Sequence, residues 1–556
     1  MTRDTMESIP PSRIQQYVTT ASATMGALAL GSVIGFTTHC VAQLIAESPP
    51  NSNSDLRITP PEASWFASSA NLGAVVGGLI GGLAANHIGR RGTLLAVAPP
   101  FIAGWLMIAL AYNFALLIAG RVLTGVCMGA VCSVAPPYIG EFASADIRGT
   151  LGSCFQVMLT TGILYAFFLG AVVGNWRIQA LLCMLPPGLL LVSMYFAKES
   201  PIFLLAKGKD EEAEKSLQFF RGKNYNIQEE LKVLKESIED AQRNSFSLKD
   251  LKQSYVLKPL LISLSLMFFQ QTTGVPAVMF NLTTVFRASG SALSDDMSVI
   301  IIGIVQVLAT GGAGRQAITA AVMALGNGGF SFANRTSSPL PDQRGAPVSA
   351  IGVIPLVLLV VFISAFSVGL GPVPWLMMGE LFPSNARETA ASLSTACNWI
   401  SAFLITLIFY PMTTSLGEHG TYWVFGCICV LALAFSASVV PETKGRTLLQ
   451  ISAVPHRPHN RRDTQVDQVP PGSEDLRPSF PRDSRQEFWT GRTTWLKEVL
   501  VRQSCAWRRK VLLLLPYLLR GILGYSRNSC WSAVGARLKK VMRSCKDPVT
   551  LRQRRS

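Results

Sequence analysis

The chain has 556 residues, of which 49% are hydrophobic and 15% are charged, and its mean hydropathy is positive. Soluble proteins carry about a quarter charged residues, so this composition excludes an ordinary soluble fold. The net charge of +16 is concentrated in residues 451–556, with 22 Lys and Arg against 8 Asp and Glu, which argues against a nucleic-acid-binding face. Eleven cysteines without ligand spacing predict neither a metal site nor a disulfide framework, and we expect no cofactor.

Twelve apolar segments follow one another along the chain, most of them near the ~20 residues that a helix needs to cross a bilayer. The first begins after a polar leader and is too long for the apolar core of a cleaved signal peptide, so we interpret it as a spanning helix. The sequence therefore predicts an all-α, multi-pass membrane protein with about twelve transmembrane helices, at 21–45, 63–86, 93–112, 114–137, 151–174, 178–197, 257–281, 298–312, 316–333, 348–378, 388–411 and 420–440.

A charged stretch separates the sixth segment from the seventh. Residues 198–258 hold 12 basic and 11 acidic residues, and 227–243 has the spacing of an exposed amphipathic helix. Basic residues fall in alternate connections, which places this loop and both termini in the cytoplasm. The sequon at Asn334 then lies outside the cell, as a candidate glycosylation site. The predicted layout is a cytoplasmic N-terminus (1–20), a helical half (21–197), the loop with amphipathic helices (198–256), a second half (257–450) and a basic, partly disordered tail (451–556).

An internal repeat relates the two halves. After segment four, Arg148 comes seven positions after Glu141, and Glu380 and Arg387 repeat this spacing after segment ten. Such charges can pair across two halves when one side closes, and an exposed pair contributes ~0–1 kcal/mol, the scale of a conformational switch. The alternative is that they only set topology and reach the lipid headgroups. We predict two six-helix halves with a cytoplasmic gate formed by Arg90, Arg91, Glu141, Arg148, Glu199, Glu380, Arg387 and Glu442.

The segment interiors hold few ionisable groups, and segment one has no Asp or Glu. A proton-coupled carrier usually needs a buried carboxylate or histidine, so this composition favours a uniporter. The remaining polar groups are amides, which both donate and accept as sugar hydroxyls do, while tryptophan rings suit the C–H face of a sugar. Each amide could instead bond a neighbouring helix. The predicted substrate site consists of Gln156, Gln270, Gln271, Gln306, Trp375, Asn398 and Trp399, with 371–374 breaking segment ten beside it.

The chain resembles the sugar porter family of the major facilitator superfamily in the motifs GRRGTLL (89–95), GRVLTG (120–125), PYIGEFASADIRGTLGS (137–153), KESPIFLLAKG (198–208), FFQQTTG (268–274), GPVPWLMMGELFP (371–383) and PETKGRTL (441–448). The wording of GPVPWLMMGE and NWISAF is most similar to that of arthropod facilitated trehalose transporters. The resemblance covers about residues 20–450. It implies a twelve-helix fold that works by alternating access, and a sugar site lined by Gln156, Gln270, Gln271, Trp375 and Asn398.

Three departures from that family pattern stand out. Pro276 replaces the asparagine of the motif Q-Q-x-x-G-x-N, which removes one expected sugar ligand, and Ile202 replaces an arginine. The second copy of the G-R-R loop, between segments eight and nine, is nearly lost. Those two segments are therefore either shortened or fused into one helix. Fusion would leave eleven helices and an external basic tail, so we favour a shortened pair.

The basic tail matches nothing in the family. Residues 456–486 are polar and rich in proline, which is typical of disorder, whereas 511–525 form a short apolar stretch with basic flanks that suits an anionic lipid surface. The alternative is a segment without a selected role. No nucleophile–base pair, metal cluster or phosphate-binding loop is visible, so we expect no enzyme. The predicted function is uniport of trehalose or a hexose, in the plasma membrane. A transport-impaired sugar sensor and a proton-coupled symporter are the alternatives.

Overall fold

The computed structural model describes residues 12–45, 56–243, 253–283, 294–310, 354–382 and 387–440. The regular secondary structure in these ranges consists of helices, without a strand. All of them belong to one compact unit, residues 1–456. Ten helices in the described part are long and apolar enough to cross a bilayer. The predicted tail, the sequon at Asn334 and segment nine lie outside the described residues.

The first half contains seven helices, because its sixth spanning segment is split. Pro186 and Pro187 lack the N–H groups that would continue the helical ladder, and a new helix begins at Leu185. The first helix begins at Ile14, seven residues before the predicted start of segment one. The helices are α1 (Ile14–Ile45), α2 (Pro60–Ile88), α3 (Arg90–Ala109), α4 (Phe114–Phe142), α5 (Arg148–Val173), α6 (Trp176–Leu182) and α7 (Leu185–Phe196).

Glycines bring α2 and α4 into backbone contact. A Cβ atom at Gly77 would lie 1.8 Å from the Val126 carbonyl oxygen, and one at Gly125 would lie 2.1 Å from the Ala70 carbonyl oxygen. Membrane helices without side chains at a contact can approach closely and gain dispersion energy along their whole length. The first half is therefore held together by tight helix packing.

Three helices follow in the charged loop, of which the second and third are amphipathic. They are α8 (Pro201–Ala206), α9 (Asp210–Arg221) and α10 (Gln228–Arg243), and they share a small apolar core that includes Leu204, Leu217 and Leu231. Gln16 at the start of α1 donates through Nε2 to the Ser144 hydroxyl, 2.8 Å away, and to the Phe220 carbonyl, 3.1 Å away. The start of α1, the α4–α5 connection and the loop helices thus lie on one side of the bundle.

The second half contains two broken helices. Its helices are α11 (Ser254–Thr272), α12 (Val275–Phe280), α13 (Asp295–Thr310), α14 (Ile354–Val368), α15 (Val373–Leu381) and α16 (Arg387–Ser438), and α16 is a pair of spans joined by a kink at Gly417 with φ of 72°. The break between α14 and α15 lies where the prolines of 371–374 predict it. The break between α11 and α12, at Gly274 with φ of 94°, is one that the sequence analysis missed.

The shortened segment eight corresponds to α13. This helix has 16 residues, which span about 24 Å at the helical rise, less than the ~30 Å of a bilayer core. It packs against α5 of the first half, while α2 packs against α16 and α1 against α12. These three contacts join the two halves and put residues from both of them around a shared central region.

Candidate functional site

The break between α14 and α15 leaves a carbonyl without its helical partner. Pro374 has no N–H to donate to the Leu370 carbonyl four residues earlier. The side chain of Gln270, on α11, supplies the missing donor: its Nε2 lies 2.8 Å from the Leu370 oxygen and 2.6 Å from the Gly371 oxygen. A buried carbonyl without a partner would cost about 1–3 kcal/mol, so this contact fastens α11 to the broken helix.

Three of the predicted amides form one network. Asn398 Nδ2, on α16, lies 2.5 Å from Gln270 Oε1, and Gln271 Nε2 lies 2.9 Å from Asn398 Oδ1. Gln271 Nε2 also lies 3.4 Å from Gln270 Oε1. Gln270 is 2% exposed and Asn398 is 1% exposed, whereas Gln271 is half-buried. We call Gln270, Gln271 and Asn398 the amide network.

Two tryptophans follow elements that the network contacts, and both face the other half. Trp375 follows the break on α15, and Trp399 comes directly after Asn398 on α16. Both pack against the apolar core of the first half. The indole Nε1 of Trp399 is buried and has no hydrogen-bond partner among the described residues. An unpaired indole N–H in an apolar environment is costly, which makes this atom a candidate donor to a ligand oxygen.

The last two predicted residues, Gln156 and Gln306, lie on helices that pack against each other across the two halves. Gln306 is buried on α13, and its Oε1 has no hydrogen-bond partner in the described part of the chain. Gln156 is half-buried on α5, the helix that packs against α13. Neither side chain bonds to the amide network. The structure therefore brings three of the seven residues into one network, and these two lie on other helices outside it.

The sequence pattern of the family described as "Sugar (and other) transporter" matches residues 19–454. The chain belongs to the sugar transporter family. The transporter is 35% identical over 462 residues to the facilitated trehalose transporter Tret1 of Culex quinquefasciatus, with 80% of this chain and 86% of that protein covered. It is 37% identical over 434 residues to Tret1 of Apis mellifera ligustica, with 75% and 84% covered. It spans only 57% of Tret1 of Anopheles gambiae, at 35% identity.

Solved transporters share the fold. The transporter resembles the xylose transporter XylE from E. coli in a partially occluded inward-open conformation, with a TM-score of 0.64, 25% identity, and 78% of this chain and 99% of that chain covered. It also resembles the proton:xylose symporter XylE bound to 6-bromo-6-deoxy-D-glucose, with a TM-score of 0.63, 25% identity, and 79% and 98% covered. The predicted fold, an all-α multi-pass membrane protein of the major facilitator type, is confirmed. The family consists of transporters, so the prediction that the chain is not an enzyme is confirmed as well.

The charges predicted as a gate form a compact cluster in the first half of the transporter. Arg90 Nη2 lies 3.0 Å from Glu141 Oε1, and these side chains are only 12% and 14% exposed. The carboxylate of Glu199 accepts from the backbone N–H groups of Arg90 at 2.9 Å, Arg91 at 3.0 Å and Gly92 at 3.2 Å. Glu199 therefore caps α3, where the N–H groups of a first helical turn lack partners.

Two further arginines of the predicted gate bond backbone carbonyls. Arg91 donates to the Met194 and Tyr195 carbonyls at the end of α7, at 3.1 and 2.8 Å. Arg148 donates to the Ala143 carbonyl at 3.3 Å. The side chains of Glu380 and Arg387, and all of Glu442, lie outside the described residues. The contacts above fasten helices of the first half to one another, and pairing across the two halves stays a prediction.

Two buried ionisable residues lie outside the set predicted from the sequence. Arg121, on α4, is fully buried and donates through Nη1 to the Val33 carbonyl at 3.0 Å and through Nη2 to the Thr37 hydroxyl at 2.7 Å. His39 is buried on α1, and its Nε2 lies 3.3 Å from Asp296 Oδ1 at the start of α13. Both residues lie in segments with a high average hydropathy, so the apolar pattern alone does not single them out. The argument for uniport from the scarcity of ionisable groups therefore overlooked a buried histidine, and the choice of uniport needs another argument.

Proposed function

We propose that this transporter carries a small sugar by facilitated diffusion, trehalose first and a hexose second, with its two halves alternating access across the plasma membrane. The observation that supports a sugar most directly is the amide network, a set of uncharged hydrogen-bonding groups at the breaks of membrane helices. Broken helices are where carriers place their substrates. The relatives named as facilitated trehalose transporters make trehalose the first choice. Gln156, Gln306, Trp375 and Trp399 complete the proposed sugar site.

Uniport is supported by the surroundings of Arg121. Its described partners are two carbonyls, those of Val33 and Phe66, the Thr37 hydroxyl and the ring of Phe66, whose centroid lies 4.8 Å from the guanidinium carbon. A buried arginine bonded to neutral groups keeps its charge and its partners through a transport cycle. Proton coupling would need a carboxylate that pairs with this arginine when ionised and releases it when protonated. The described contacts of Arg121 include no carboxylate.

Flux measurements in vesicles test this proposal. Purified transporter in proteoliposomes should take up radiolabelled trehalose or glucose along a gradient, saturably, and a proton uncoupler should leave the initial rate unchanged. The variant Trp399→Phe tests the site, because it keeps an aromatic ring but removes the unpaired N–H. Its KM should be about fivefold higher than that of the parent protein, the worth of one neutral hydrogen bond. Absence of saturable flux for both sugars would refute the proposal.

Proton-coupled symport is the second candidate. It is favoured by the buried His39 beside Asp296, and by the likeness to a proton:xylose symporter. Uncoupler-sensitive accumulation of sugar against its gradient would select it. A third candidate, a sugar sensor that no longer transports, is motivated by the shortened α13, and sugar-dependent thermal stabilisation without flux would select it.

The remaining parts of the layout are proposals too. The helices α8 to α10 form a cytoplasmic loop subdomain beside the start of α1, and the charge cluster of Arg90, Glu141 and Glu199 forms the first half of a cytoplasmic gate. We assign its second half to Glu380, Arg387 and Glu442, the basic tail to the surface of anionic lipid, and Asn334 to glycosylation. Labelling of single cysteines placed in the loop and in the tail tests whether both are cytoplasmic.

A further inference from the structure

Two hydrogen bonds run from side chains of the first half to buried groups of the second half. Thr38 Oγ1, on α1, donates to the Met279 carbonyl of α12 at 2.6 Å. Asn71 Nδ2, on α2, donates to Thr406 Oγ1 of α16 at 3.3 Å. The second bond joins two side chains, so either end can be removed by substitution without a change in the backbone.

The amide of Asn71 depends on the other half for its hydrogen bond. Asn71 is 2% exposed and Thr406 is 3% exposed, and among the described residues the Asn71 side chain bonds only Thr406. The single hydrogen of the Thr406 hydroxyl is directed to carbonyls of its own helix, with Ala402 at 2.7 Å and Phe403 at 3.0 Å. The hydroxyl therefore meets Asn71 as an acceptor, and the amide N–H is the donor.

This pair lies on the outer side of the bundle, the side away from the loop helices α8 to α10. Because α1 begins beside those helices, α2 begins on the outer side. Asn71 comes 11 residues after the first residue of α2 and 17 before its last. Thr406 comes 11 residues before the kink at Gly417 and 19 after the start of α16. Both are therefore about 16 Å from the outer ends of their helices, and separation of α2 from α16 at this level must break the bond.

We propose that Asn71 and Thr406 form an outer latch, a hydrogen bond that is made when the outer side is closed and broken when it opens. They are positioning residues, which set the balance between the two states. The inference rests on the alternating access of the proposed function and names a contact that favours the closed outer side. One neutral hydrogen bond changes an equilibrium by about fivefold, which is small enough to be broken in every transport cycle.

A cysteine probe at Ala402 measures opening of the outer side without any sugar. Ala402 is 2% exposed, packs with the apolar core of the first half and lies one helical turn before Thr406. In cells that display the variant Ala402→Cys, a membrane-impermeant thiol reagent added outside should modify the new thiol only while the outer side is open. The same chain without Ala402→Cys gives the rate of the native cysteines, which is subtracted.

Substitutions of the latch, made together with the probe, should have ordered effects. Asn71→Leu removes the donor and leaves a hydroxyl that still bonds its own helix, so modification should become about fivefold faster. Thr406→Val leaves a buried amide without a partner in the closed state, so the rate should rise about tenfold. The double variant removes both ends and should match Asn71→Leu. Thr406→Ser keeps the hydroxyl and should keep the rate of the parent protein.

The matched control is Thr124→Val, in the interior of the first half. It removes a buried hydroxyl that donates to the Arg121 carbonyl of its own helix at 3.0 Å, and it should leave the modification rate unchanged. Equal rates in the parent protein and in Thr406→Val would overturn the latch. Modification as fast in Thr406→Ser as in Thr406→Val would overturn it too, since the hydroxyl would then not be the group that joins the halves.

Failure of the latch and failure of sugar transport are distinguishable, because modification of the probe needs no flux. The expected order of modification rates without saturable sugar uptake would refute the proposed uniport and support the latch. Saturable, uncoupler-insensitive uptake with equal modification rates in all variants would support the uniport and refute the latch.

Discussion

The two halves of the membrane domain differ in how their helices are held together. In the first half, uninterrupted helices such as α2 and α4 meet through glycines, and charged side chains at their ends bond backbone groups. In the second half, α11 stops at Thr272 and α14 stops at Val368, and the neutral amide of Gln270 bonds the carbonyls exposed by the break after α14. These contacts predict a rigid first half, and in the proposed function the second half carries the groups that meet the substrate.

The largest effect on stability is expected at the close contact between α2 and α4 in the first half. In Gly77→Ala the new Cβ would lie 1.8 Å from the Val126 carbonyl oxygen, which is backbone and cannot rotate away. Separation of α2 from α4 should cost about 3 kcal/mol or more and lower the melting temperature of the purified transporter. The matched control is Gly82→Ala on the same helix, where nothing lies within 4 Å of a new Cβ. Equal melting temperatures for the two variants would contradict the picture of a rigid first half.

Most of the features that set the second half apart could be predicted from the sequence. The glutamines, the asparagine and the tryptophans of the second half are conspicuous as polar or large aromatic residues within apolar segments. The break after α14 is predicted by two prolines. The break after α11 was also readable: Pro276 cannot donate to the Thr272 carbonyl four residues earlier, and α11 ends at Thr272. Pro276 was interpreted only as the loss of a sugar ligand and not as the end of a helix.

Partners could not be predicted in the same way, because they depend on distances between segments. Nothing in the sequence shows that Gln270 meets the Leu370 carbonyl, or that Glu199 caps α3. The repeat of glutamate and arginine in the two halves suggested pairing between halves, whereas the described contact of Arg90 with Glu141 lies within one half. Spacing identifies which groups recur, and only the packing of the helices decides which of them meet.

A medium effect is expected at the charge cluster of the first half. Arg90→Gln and Glu141→Gln each break an ion pair that is nearly buried, and the double variant should recover part of the loss, with a coupling of about 1–2 kcal/mol. Unfolding in denaturant measures the coupling, and sugar affinity serves as the control because the cluster is separate from the amide network. Additive losses in the double variant would show that the 3.0 Å contact contributes little.

The smallest effect is expected at the outer contact between the halves. His39 Nε2 lies 3.3 Å from Asp296 Oδ1, and nearby Thr38 Oγ1 donates to the Met279 carbonyl at 2.6 Å, so α1 holds both α12 and α13. Asp296 is 52% exposed, so water competes for this contact. Asp296→Asn keeps an oxygen acceptor beside His39, and it should therefore weaken closure of the outer side only slightly and change the rate of uptake by about twofold, measured in proteoliposomes. A tenfold or larger effect of Asp296→Asn would show that this contact controls the cycle and that the second half depends on the first for more than packing.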